Sequence, residues 1–161
     1  GAGEEEAISS ELAANGYPAG DIDWFLATTL AELGLADRSI ERLRTFQAKH
    51  PGHPMIANSW GLLAAQLGQS GDLEGAVEAY GKQIELDSEI ESLEHAYEGR
   101  SMLHFQLGNY DEAETDLRNL MEVTKIPHHR DGCIAMIRRI FDIEFSRVQI
   151  DVLQNCKISN V

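Results

Sequence analysis

Two groups of side chains have the types that bind metal or move protons. His50 and His53 stand three apart, and His128, His129 and Cys133 fall close together further along. Imidazole and thiolate are zinc ligands, but a structural site needs four of them converging at fixed distances. His50 and His53 flank Pro51-Gly52, and His128-His129 follows Pro127, so both groups are expected in exposed connections between helices, with no metal held. No GxSxG, HExxH or GxxxxGK run occurs, and no paired-carboxylate arrangement stands out. The chain is therefore expected not to be an enzyme and to need no cofactor. Cys133 and Cys156 are the only cysteines and lack CxxC spacing, which argues against a disulfide framework and for a reducing, cytoplasmic setting.

The charge narrows the partners. The net charge is −14, which repels nucleic acid. The acids gather at Glu4 to Glu6, from Glu85 to Glu94 and from Asp111 to Asp116, whereas residues 128–161 carry Arg130, Arg138, Arg139, Arg147 and Lys157 against four acids. Such clusters either steer a basic partner toward the body or keep an apolar-rich chain soluble as solvated helix faces. The stretch 51–71, free of Asp, Glu, Lys and Arg, contains His53, Asn58, Gln66, Gln69 and several glycines, so it does not read as a membrane span.

What must position these groups is a set of amphipathic helices. Apolar periodicity and turn formers predict helices near 4–14, 21–33 paired with 37–49, 54–69 with 73–87, 91–107 with 110–124, and 131–154. The last segment places Ile134, Ile137, Phe141, Val148 and Val152 at near-helical steps, although Val148 to Val152 also alternates like a strand. The pairs recur at a constant step of 37 residues. Gly34, Gly71 and Gly108 end the first helix of each pair, and Ser39, Ala76 and Ala113 follow at the same phase. Ala27, Ala64 and Ser101 hold the matching place on the first helices. Small residues at both points let two helices cross closely, and the surrounding Leu26, Leu30, Trp60, Leu63, Leu67, Tyr97, Leu43, Tyr80 and Leu117 need neighbouring pairs to bury them. Asp72 and Asn109, just after two of the glycines, are candidate caps for the next helix.

The run Trp60, Leu63, Ala64, Leu67, Gly71-Asp72, Ala76, Tyr80 and its copy Tyr97, Arg100, Ser101, Gly108-Asn109-Tyr110, Ala113, Leu117 resemble the tetratricopeptide helix-turn-helix repeat. The first copy has Asp23 in place of the leading aromatic but Pro51 at the inter-repeat proline position, where the second copy has Ser88. The resemblance implies an all-α solenoid of three antiparallel helix pairs over 20–127, with a capping helix and loop at 1–19 and a capping helix and tail at 128–161.

The resemblance further implies a non-catalytic protein-interaction module whose concave groove is lined by the first helices. The matching groove positions are Asp21, Trp24, Thr28 and Ala31; Asn58, Gly61, Ala65 and Gly68; and His95, Glu98, Met102 and Phe105. Gly61, Ala65 and Gly68 would let a ligand approach closely, with Trp24, Met102 and Phe105 as contact area, though Trp24 and Phe105 fit internal packing equally well. The chaperone-tail clamp of related domains maps onto Trp24, Thr28, Leu62, His95 and Gly99, with no cation or amide, so a free carboxylate is not the expected ligand. A peptide or helix with apolar anchors and basic flanks is. The alternatives are self-association, with the basic C-terminal helix of one chain in the acidic groove of another or of its own chain, and service as an accessory domain of a larger enzyme.

Overall fold

The computed structural model describes residues 2–87, 89–124 and 127–158, with side chains placed for 3–87, 89–124 and 129–147. Ser88, His128, Val148, Val152 and Cys156, each singled out above, thus have no described side chain. Eight helices make up the described residues: α1 (Ala2–Ala14), α2 (Ala19–Glu32), α3 (Ala36–Lys49), α4 (Ile56–Ser70), α5 (Leu73–Leu86), α6 (Ile90–Leu107), α7 (Tyr110–Val123) and α8 (Pro127–Ile158). Each helix packs on the next, forming pairs α2/α3, α4/α5 and α6/α7 that stack in order. The stretch with strand-like alternation lies inside α8 and is helical.

Small residues occupy every crossing. Ala27, Ala64 and Ser101 on the first helices and Ser39, Ala76 and Ala113 on the second are all buried. Ser39 differs from its alanine counterparts because its hydroxyl donates to the Ala27 carbonyl at 2.9 Å across the same crossing, satisfying a polar group that would otherwise be costly to bury. Gly34, Gly71 and Gly108 adopt φ of 71°, 91° and 79°, the left-handed geometry that ends a helix cheaply only at glycine. Asp72 caps α5 by accepting from the Gly75 amide at 3.0 Å. Asn109 makes no such side-chain cap, and α7 begins without one.

Two clusters form the core. One runs through α2 to α6, from Ala27 and Leu43 through Leu63, Leu67 and Tyr80 to Leu103. The other joins α7 to α8 through Ala113, Leu117, Leu120, Cys133, Ile137 and Ile140, with Tyr97 and Phe105 against it. The sequence stripe Ile134, Ile137, Phe141 is therefore out of phase at two of its three positions. Ile134 and Phe141 are exposed, and Cys133 and Ile140 are the residues buried against α7. That rotation lays α8 over the last pair, with Ile134 and Phe141 on its exposed side and outside the groove of their own chain.

Candidate functional site

The first helices of the pairs lie along one side of the stack, α2 touching α4 and α4 touching α6. Between them opens a cleft of ≈ 570 Å³. One wall is Trp24 and Thr28 of α2, the floor is Asn58, Gly61, Leu62 and Ala65 of α4, and the far wall is Ser92 and His95 of α6. Gln83 from the end of α5 and Glu89 and Glu91 at the start of α6 close one side. Trp24 both packs and faces outward. One side of its ring rests near Phe46, with centroids 5.8 Å apart, and the residue still lines the cleft.

Six residues singled out from the sequence, Trp24, Thr28, Asn58, Gly61, Ala65 and His95, share this cleft. Gly68 and Met102 line a neighbouring depression of ≈ 280 Å³ that meets it at Ala65. Glu98 and Met102 border a third hollow of ≈ 230 Å³, whose other wall is His129, Gly132, Cys133 and Met136 of α8. Phe105 lines none of these. Its half-buried ring sits 5.5 Å from Tyr110 with the Arg139 guanidinium 5.4 Å over it, so it belongs to the packing between α6, α7 and α8 and does not serve as an anchor in the groove.

Gly61 also differs from expectation. The space above it is filled by the Gln83 carboxamide, and a Cβ built on Gly61 would stand 2.4 Å from Gln83 Oε1. Gly61 thus makes room for a side chain of the protein itself. Gly99 does the same for the Tyr80 ring, which would lie 2.5 Å from a Cβ there. The signal for Gln83 was present in the sequence: it continues the buried phase of Ala76, Ala79 and Tyr80 on α5, and a polar residue on a core stripe calls for a partner. That partner is Ser92, whose Oγ accepts from Gln83 Nε2 at 2.8 Å.

The histidine loop is not exposed as its composition suggested. His50 and His53 pack on Phe46, with ring centroids 5.6 and 5.1 Å away. Their Nε2 atoms meet Asp23 at 3.1 Å and Asp21 at 2.9 Å, each histidine facing its own carboxylate. Among the described residues, no three His, Cys, Asp or Glu side chains are placed to share an ion. Burial, and then the nearby Glu98 charge, push the Cys133 thiol above its ordinary pKa, so it stays protonated at neutral pH and is a poor nucleophile.

The tetratricopeptide repeat family model matches residues 57–90 and 94–125, the α4/α5 and α6/α7 pairs. Residues 57–90 and 94–125 thus match as two tetratricopeptide repeats. The α2/α3 pair lies outside those matches yet crosses at the same small residues, Ala27 and Ser39. Among solved structures, a crystal structure of MamA is similar with a TM-score of 0.62 and 14% identity, over 88% of this chain and 87% of that one. A second, of MamA protein, gives a TM-score of 0.58 and 15% identity, over 86% and 79% of the two chains. No curated protein sequence matches this chain. At these identities the structural likeness speaks for the tetratricopeptide fold alone. Among the described residues, no helix is long and apolar enough to cross a membrane.

Proposed function

We propose that this tetratricopeptide protein is a non-catalytic adaptor that holds a peptide or helix of a protein partner in the cleft between α2, α4 and α6. The observation that carries the reading is the mixture of surfaces there. Trp24, Leu62 and Ala65 offer apolar area, Glu89 and Glu91 supply negative charge on one side, and among the described residues no Lys or Arg lines the cleft. Such a surface suits an apolar segment with basic flanks, whose association the acidic body also accelerates.

Ala65→Arg tests it. Arginine there fills the floor of the cleft and lies where the cleft meets the neighbouring depression, while the half-buried position tolerates it without unfolding α4. Proteins captured by the immobilised wild-type chain should be lost from the variant, with helicity by circular dichroism unchanged. An identical captured set would place the binding surface elsewhere.

A further inference from the structure

The side of the cleft closed by α5 contains a buried acceptor that accepts nothing from the described residues. Gln83 is 4% exposed, and its Oε1 has no hydrogen-bond partner among the described residues. The orientation of the amide follows from its neighbours. Ser92 has one hydroxyl proton and donates it to Asp87 Oδ2, so its oxygen can only accept, and Gln83 must turn its NH2 toward Ser92. Asp87 Oδ1 is meanwhile engaged by the Glu89 amide at 2.9 Å. The chain of bonds therefore fixes Oε1 on the opposite side, against Gly61 on the cleft floor. An orphaned carbonyl at this depth costs stability unless something else donates to it.

Resting on the groove reading above, we infer that this corner of the cleft is a receptor for the guanidinium of an arginine side chain in the partner. Three features converge on that chemistry. The Gln83 carbonyl is an acceptor in need of a donor, and a guanidinium offers a planar fork of N–H groups able to reach it as the amide tilts off Gly61. Glu89 and Glu91 supply the opposite charge, and among the described residues no Lys or Arg lines the cleft to neutralise them. The Trp24 ring, braced by Phe46, gives a face on which a weakly hydrated planar cation can stack. A lysine ammonium, compact and strongly hydrated, makes poorer use of both ring and carbonyl.

The test uses the full chain with N-acetyl-arginine amide as probe and N-acetyl-lysine amide as its control, titrated by NMR at the Trp24 indole and the Gln83 side-chain amide. The arginine probe should move both resonances, and the lysine probe should bind about tenfold more weakly. Gln83→Met, close in length and shape, should weaken the arginine probe about tenfold, the scale of a lost hydrogen bond to a charged group. Ser92→Ala removes the bond that orients the amide but keeps the acceptor, so it should weaken the arginine probe less than Gln83→Met does, whereas a merely structural role for Gln83 would make the two losses equal. Glu89→Gln with Glu91→Gln should weaken binding and flatten its salt dependence. Unmoved Trp24 and Gln83 resonances, equal binding of the two probes, or equal losses in Gln83→Met and Ser92→Ala would each overturn the assignment. If the probe fails while Ala65→Arg still abolishes partner capture, the groove stands and the guanidinium receptor falls.

Discussion

The two helices that flank the three pairs are held in place by different forces. At the C-terminal end, α8 lays Cys133, Ile137 and Ile140 on Ala113, Leu117 and Leu120, an apolar seam in which Ile140 is wholly buried. At the N-terminal end, α1 has almost no apolar face to offer, and Ile8 remains 44% exposed. It is tied down by charge: Glu5 accepts from Arg38 and, at 2.9 Å, from Arg42 of α3, and Arg42 also reaches Asp23 of α2 at 3.7 Å. One flanking helix is thus held by a seam of apolar surface and the other by a latch of ion pairs. They differ in strength and in what loosens them.

Ile140→Ala should have the largest effect, about 2–5 kcal/mol, because it removes buried methyl groups and leaves a cavity in the α7/α8 seam. Thermal unfolding of the variant checks this, and a shift as small as that of a surface mutation would mean α8 does not seal the array. Next comes Asp116→Ala in the adjoining pair. Asp116 is 2% exposed and accepts two bonds from Arg100, at 2.8 and 2.7 Å, but Arg100 keeps enough exposure to rehydrate. A loss of about 1.5–3 kcal/mol is expected in urea titrations. Gly99→Ala, which drives a Cβ into the Tyr80 ring between the second and third pairs, should cost about 1–3 kcal/mol. Glu5→Gln should cost less than about 1 kcal/mol, and only in low salt, since partly solvated pairs are screened. A loss that persists in 1 M salt, where the Debye length is about 3 Å, would show that α1 is held by packing after all.

Acid should separate the two ends. Burial, opposed by the nearby Asp116 charge, lowers the His104 pKa below its ordinary 6.5, so the folded state favours the neutral ring. Its contribution is complete above pH 6.5 and is lost as the pH falls toward the lowered value, loosening the third pair first. Glu5 is pushed up by burial but pulled down further by its bonds to Arg38 and Arg42, ending below its ordinary 4.5. The latch on α1 is therefore intact above pH 4.5 and fails only as the pH drops through the lowered value. Hydrogen exchange along the chain at stepped pH reads both, and protection lost in α1 before α6 would reverse the order.

Much of the stack was legible because the rules that set it are local. A helix pair can cross closely only over small side chains, and Ala27, Ser39, Ala64, Ala76, Ser101 and Ala113 announce the crossings by type and step alone. Glycine at 34, 71 and 108 marks helix ends through a backbone geometry that other residues resist. What the sequence by itself determined is thus the order of helices, their pairing and the side that carries the cleft. Which stripe of α8 turns inward was settled by tertiary structure, since Ile134 with Phe141 and Cys133 with Ile140 are both apolar, and only the surface of α7 chooses between them. The same holds for Phe105, drawn into the α8 contact, for His50 and His53, drawn onto Phe46 and two aspartates, and for Gly61, whose open space Gln83 fills from another helix. Each of these depends on which distant side chain arrives at a given point, a matter of packing in three dimensions that no spacing along one helix encodes.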